Sequence, residues 1–258
     1  MEKEQETTQV NSSRRILLRV AYDGTNYHGW QYQEGLPTIQ GEVERALSEL
    51  LKEEVHVVGG SRTDAGVHAL SNVCVFDTSS RIPGEKFPYA LHPLLPSEIR
   101  IVEGREVDAA FHPRHCDTKK TYEYRISLGE FENPLNRLYT HHTNYALDIT
   151  LMQAAAKAME GEHDFTSFCT VGAQVSDFVR CVYSVDVTME EKDTILITVT
   201  GNGFLYNMVR IMAGTLIEAG KGRYQPEDIR EMIAARDRAK AGPTAPAKGL
   251  RLAKYEFL

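Results

Sequence analysis

Apolar residues recur along the chain at two periods, and the changes of period mark the elements. Ile16 to Tyr22 predicts a strand, and Asp23-Gly24 a turn after it. Beyond Pro37, the residues Ile39, Val43, Ala46, Leu47, Leu50 and Leu51 fall on one face at helical spacing. This predicts a helix with Thr38 as its N-cap. Val55 to Val58 predicts a short buried strand running into Gly59-Gly60, Asn72 to Asp77 a second, and Ile99 to Val107 a third that closes the first half. Pro83, Pro88, Pro93 and Pro96 break the segment between into loop with a short helix.

The second half opens with a strand from Lys119 through Tyr124 and Ile126. Next comes a helix with Leu151, Met152, Ala155, Ala156 and Met159 on its apolar face, capped by Thr150 with Gln153 and ended by Gly161. Cys181, Tyr183, Val185 and Val187 alternate with polar residues, as do Ile195, Ile197 and Val199; residues 190–193 join them as a hairpin. Phe204, Leu205, Met208, Val209, Met212 and Leu216 predict a helix stopping at Gly220. A last helix starts at Pro226, with Arg236, Arg238 and Lys240 near its end and Gly242 as terminator. Each half mixes hairpins with helices instead of alternating strand and helix, which is an α+β pattern. The organisation expected is a polar, disordered tail over 1–13, an α+β domain over 14–113 and a second over 114–258. The tail lacks the apolar core of a signal peptide.

Composition adds less than charge does. With 258 residues there is enough chain for a sizeable core, and no stretch approaches the roughly 18–20 apolar residues that cross a bilayer. Cys74, Cys116, Cys169 and Cys181 form no CxxC pair and read as reduced thiols of a cytoplasmic protein. The net charge of −7 argues against binding a polyanion by bulk attraction. It hides an asymmetry, because residues 205–258 hold ten basic and six acidic side chains. A second basic knot, Arg114, Lys119, Lys120 and Arg125, is interleaved with Phe111, Tyr122 and Tyr124, a mixture that serves RNA or simply a solvated strand and helix face.

The candidate chemistry lies in residues 59–68, Gly-Gly-Ser-Arg-Thr-Asp-Ala-Gly-Val-His, between two apolar strands. The glycines allow tight turns, but the Lys-Ser/Thr ending of a phosphate-binding P-loop is absent. Arg62 and Asp64, two apart, can face one cleft. A carboxylate beside a guanidinium stays ionised and can act as nucleophile or charge stabiliser; it can equally be a turn aspartate in a routine ion pair. His112, His115 and Cys116 complete no four-coordinate metal site. Tyr22, Tyr27, Trp30 and Tyr32 read as hairpin packing more readily than as an RNA platform.

The 59–68 loop resembles the catalytic motif of the tRNA pseudouridine synthase A (TruA) family. So do five further ordered segments: Tyr22 to Gln31; Phe111 to Arg114 with Tyr122 to Arg125; Gly161 to Phe168; Phe204 to Arg210; and Ala245-Pro246 through Gly249-Leu250. The likeness runs from about residue 15 to the C-terminus. It implies a pseudouridine synthase fold: two ferredoxin- or RRM-like α+β halves, with mostly antiparallel sheets, flanking a central active-site cleft. It implies isomerisation of uridine to pseudouridine in the tRNA anticodon arm, at positions conventionally numbered 38 to 40, with no metal or organic cofactor.

By resemblance Asp64 is the catalytic carboxylate, Arg62 holds the opened site, Tyr122 stacks on the flipped uracil and assists proton transfer at C5, and Arg210 pairs with Asp64. Phe111, His112, Pro113, Arg114, His115, Arg81, Leu250 and the loop Gly172, Ala173, Gln174, Val175 and Ser176 are expected to touch tRNA; that loop lacks the arginine often found there. The resemblance also implies a homodimer, and a positive cleft formed by Arg62, Arg114, Lys119, Lys120, Arg125, Arg210 and the basic C-terminal region. Two other readings stay open: an RNA-binding module without catalysis, and a glycosyl or phosphoryl hydrolase, which needs a second carboxylate.

Overall fold

Helix and strand formation follow the apolar pattern, and one late strand binds the halves together. The computed structural model describes residues 13–172 and 176–258; residues 1–12 of the expected tail, and Ala173, Gln174 and Val175, lie outside the described residues. The first half runs β1 (Arg14–Tyr22), α1 (Ile39–Leu51), β2 (Val58–Gly59), β3 (His68–Thr78), α2 (Phe87–Leu91) and β4 (Ile99–Val107). The second runs β5 (Thr118–Leu128), β6 (His141–Thr143), α3 (Ile149–Lys157), β7 (Gly161–Asp164), β8 (Val179–Glu191), β9 (Thr194–Gly201), α4 (Met208–Gly220), α5 (Pro226–Ala235) and β10 (Leu250–Phe257). The class is α+β, with a large, mostly antiparallel sheet.

The strands join in one sheet of order β4-β1-β3-β10-β5-β9-β8-β7, with β2 paired to β3 and β6 to β5. β10 lies between the halves. It runs parallel to β3 through Arg251 opposite His68 and Leu252 opposite Ala69, and antiparallel to β5 from Leu250 opposite Tyr124 to Phe257 opposite Thr118. The starts of β3 and β10 therefore meet beside the middle of β5, and that meeting point is where the site forms.

Thr38 caps α1 as expected, its hydroxyl accepting from the Gly41 N–H at 3.2 Å, and Ile39, Val43, Ala46 and Leu47 are buried beneath it. Several boundaries differ from the sequence reading, among them the start of β3 at His68 instead of Asn72 and the end of α3 at Lys157 instead of Gly161. The segment expected as a strand from Val55 pairs only over Val58–Gly59. Asp148, not Thr150, caps α3, because its carboxylate reaches the N–H groups of both Thr150 and Leu151, at 2.7 and 3.2 Å. Phe204 and Leu205 precede α4, which begins only at Met208 after Asn207 turns left-handed at φ +61°. α5 ends at Ala235 where Arg236 takes φ +50°; Arg238 and Lys240 form a separate short turn.

All four cysteines are free thiols, and no helix among the described residues is long and apolar enough to cross a membrane.

Candidate active site

The loop between β2 and β3 carries Asp64, and buried polar groups fix its shape. The Gly60 N–H donates to Val73 O at 2.8 Å, continuing the β2–β3 pairing. Then a side chain takes over. Asn72 is fully buried; its Oδ1 accepts from the Ser61 N–H at 3.2 Å, and its Nδ2 donates to Ser61 O at 2.9 Å and to the Tyr22 hydroxyl at 3.1 Å. The Tyr22 hydroxyl in turn lies 2.8 Å from Thr63 Oγ1.

On the other flank the Trp30 N–H donates to Thr63 O at 3.0 Å and the Gly66 N–H to Tyr27 O at 3.2 Å. Two glycines make this contact possible. A Cβ on Gly29, whose φ is +89°, would sit 2.6 Å from Thr63 O, and one on Gly59 would sit 2.2 Å from the Trp30 indole nitrogen. Tyr22, Tyr27 and Trp30 are buried as the scaffold of the loop, while Tyr32 is exposed. Asn72→Ala leaves the Ser61 N–H and C=O without partners in a buried place, while the Tyr22 hydroxyl keeps only Thr63. The expected cost is about 2–3 kcal/mol in urea unfolding, because each orphaned group costs about 1–3 kcal/mol.

Asp64 projects from this loop with its side chain 22% exposed. Arg210, in the first turn of α4, faces it from across the cleft, Nη1 to Oδ2 at 3.5 Å. The guanidinium is held more closely elsewhere: its Nε donates to Ala245 O at 2.8 Å and Nη1 to Asn207 Oδ1 at 2.7 Å. The 245–250 motif thus wraps Arg210, with Pro246 O accepting from the Tyr124 hydroxyl at 2.9 Å. Burial pushes the Asp64 carboxyl above the usual carboxylate range, and the charge and hydrogen bond of Arg210 oppose that push without cancelling it. The arginine therefore limits the cost of ionising a half-buried acid; it does not make it an unusually strong one.

Tyr122 on β5 is buried, its ring edge-on to Phe204 at 5.2 Å. Desolvation pushes its phenol up to about 12, with Ser61 as a hydrogen-bond partner and Asp64 as a repelling charge. At neutral pH Tyr122 is a neutral donor and an apolar ring.

These groups line one cleft of about 750 Å³. Among the described residues its charged lining is Asp64, Arg62, Arg114, Lys120 and Arg210, with Asp64 the one carboxylate. Arg62 is exposed and makes no ion pair among the described residues. Lys120 lies over the Tyr255 ring, 4.9 Å from its centre, and desolvation lowers its ammonium to about 8.

Of the 111–115 segment only Arg114 lines the cleft. Phe111 packs edge-on to Phe257, Pro113 O accepts from the Tyr255 hydroxyl, and His112 stacks on His115. Gly172 and Leu250 line the cleft; Ser176 does not, and Arg81 occupies an exposed loop beyond the far end of β3. Several cations expected to face the cleft are engaged elsewhere. Arg125 pairs with Glu123 and Glu190, and the C-terminal excess is spent in pairs such as Arg236 with Asp164, Lys221 and Arg223 with Glu218, Lys248 with Glu132 and Arg251 with Glu123. His28, Gln31, Gln33, Phe204, Tyr206 and Asn207 also line the cleft. All but Gln33 lie inside the motif segments that carry the resemblance, but only the folded chain shows them lining the cleft. Among the described residues no three His, Cys, Asp or Glu side chains gather as a metal site.

The family model described as tRNA pseudouridine synthase matches residues 19–115 and 155–257, which include Arg62, Asp64 and Arg210. The chain belongs to the tRNA pseudouridine synthase family. Relatives agree. A tRNA pseudouridine synthase A of Ruminiclostridium cellulolyticum is 48% identical over 244 residues, 95% of this chain and 100% of that one. The tRNA pseudouridine synthase A 2 of Clostridium tetani is 47% identical over 93% of this chain and 97% of its own. A tRNA pseudouridine synthase A of Bacillus pumilus is 45% identical over 92% and 97%. Both family segments contribute to the cleft, Asp64 from the first and Arg210 from the second.

Proposed function

We propose that this chain isomerises uridine to pseudouridine in tRNA, at the anticodon-arm positions conventionally numbered 38 to 40. The observation that carries the reading is a single half-buried carboxylate, Asp64, set among four cleft cations and facing Arg210 and Tyr122. In the reaction the N1–C1′ bond breaks, C5 bonds to C1′, the C5 proton leaves to a base and N1 gains a proton. Substrate and product are isomers, so no electron or group donor takes part.

Extracting a stacked base costs a few kcal/mol. Arg62, exposed at the cleft wall and without an ion pair among the described residues, would occupy the opened stem, and the Tyr122 and Phe204 rings would offer the uracil a stacking surface. Asp64 then attacks C1′, attacks the uracil ring or removes a proton to start a glycal route; each needs the ionised carboxylate that Arg210 favours. A hydrolase reading fits less well, since a paired second carboxylate is missing from the described cleft.

The test is a transcribed tRNA treated with the protein and then with a carbodiimide that marks pseudouridine. Reverse-transcription stops immediately 3′ of positions 38 to 40 are expected, and stops that map to other positions, or none, would refute the assignment. Binding is expected to weaken as salt rises, and Arg114→Ala or Lys120→Ala should each reduce the slope of log K against log salt by about one. We further infer that the chain acts in the cytoplasm as a homodimer, with the halves 14–113 and 114–258 flanking each cleft. A fully active monomer in sedimentation would count against the dimer.

A further inference from the structure

Asn207 breaks two local rules at once. It opens α4, where asparagine is a favoured N-cap, yet its side chain makes no capping bond to the helix backbone. It also sits at φ +61°, a conformation that costs a non-glycine residue of order 1 kcal/mol. Its amide is used in another direction. Oδ1 accepts from Arg210 Nη1 at 2.7 Å, and Nδ2 donates to Thr170 Oγ1 at 2.9 Å. The two ends of the amide have different partners, a guanidinium that only donates and a hydroxyl that can accept, so the side chain has one sensible orientation. Thr170 is itself fixed, its N–H donating to Tyr206 O at 3.1 Å.

We propose that Asn207 is a positioning residue for the isomerisation, holding the Arg210 guanidinium at the distance from which it supports Asp64. The inference rests on the functional reading above. Its logic is geometric. The Arg210–Asp64 contact, at 3.5 Å, is too long to orient a flexible arginine by itself, whereas the bonds to Asn207 and Ala245, at 2.7 and 2.8 Å, fix both edges of the guanidinium. Ala245 contributes a main-chain oxygen that almost any residue could supply. Asn207 contributes a side chain, so its role depends on its identity. Local strain kept at such a place is consistent with function outweighing stability.

The test uses the full chain and separates the role from mere helix stability. Asn207→Gly removes the acceptor but suits the left-handed backbone, so relief of that conformation offsets part of the two lost hydrogen bonds and the variant should stay folded, with a melting temperature lower than that of wild type by no more than about 5 °C. Its kcat should fall about 10- to 100-fold, the scale of a small misplacement, with KM within about twofold. The acidic limb of its kcat–pH profile should move up, because Asp64 loses part of its opposing charge. The charged and titratable groups around Asp64 in the cleft are Arg62, His28, Arg114, Lys120, Tyr122, Tyr206 and Arg210, and of these the variant removes a side-chain hydrogen bond from Arg210 alone.

Asn207→Asp keeps an acceptor and should restore plateau kcat to within a few-fold of wild type. Wild-type kcat and pH profile in Asn207→Gly would overturn the inference, as would Asn207→Asp being no better than Asn207→Gly. Wild type without activity on tRNA would instead refute the underlying functional reading, so the two failures are distinguishable.

Discussion

Asp64→Asn is expected to lose at least about 10⁴-fold in kcat while the protein becomes more resistant to unfolding at neutral pH. The activity loss follows because the amide is isosteric but is neither a nucleophile nor a base. The stability gain follows from the direction of the titration. Burial raises the folded-state pKa of Asp64 above its ordinary value of 3.8, so the folded protein favours the protonated acid. Stability from this group is present below the unfolded value and is lost as pH rises through the higher, folded one. At pH 7 wild type therefore carries an ionisation penalty that Asn lacks; near pH 3 both side chains are neutral. Thermal melts should show the advantage of Asp64→Asn growing from acid to neutral pH. An advantage that shrinks over that range would mean that Arg210 outweighs burial at this site.

The second large effect is expected at Tyr122. Tyr122→Phe keeps the ring against Phe204 and removes only the hydroxyl, so KM should hold while kcat falls by about 10²–10⁴-fold, the range for loss of a proton-transfer group. Tyr122→Ala should also weaken binding, since stacking of one base is worth about 1–3 kcal/mol. With the phenol pushed up to about 12, an alkaline limb in the neutral range cannot come from its ionisation. If Tyr122→Phe kept full kcat, the hydroxyl would be structural and the proton at C5 would need another carrier.

The sequence carried the elements whose apolar spacing is local, and missed what depends on remote contact. The period of Ile39 to Leu47 and the hydroxyl of Thr38 define α1 without help from the rest of the chain. The left-handed turn at Asn207 does not show in the pattern, because Phe204, Leu205 and Met208 keep helical spacing across a break stabilised by Arg210 and Thr170. The insertion of β10 between β3 and β5 joins residues about 180 positions apart, which no periodicity reports.

At the site, the motif around Asp64 was legible and its support was not. Asn72 reads as a polar residue at a strand start until its amide is seen bonded to both Ser61 and Tyr22. Charge misled in the same way. The basic excess after residue 205 is real, but Lys221, Arg223, Arg236, Lys248 and Arg251 pair with Glu218, Asp164, Glu132 and Glu123, and Arg210 is the one that reaches the cleft. Net charge counts residues, whereas an RNA meets the few cations left facing outward.

The most direct measurement is release of tritium from tRNA labelled at uridine C5, since formation of the C5–C1′ bond must expel that atom. The account predicts time-dependent release by the wild-type chain without any added donor, and none by Asp64→Ala. No release by wild type, or undiminished release by Asp64→Ala, would contradict it.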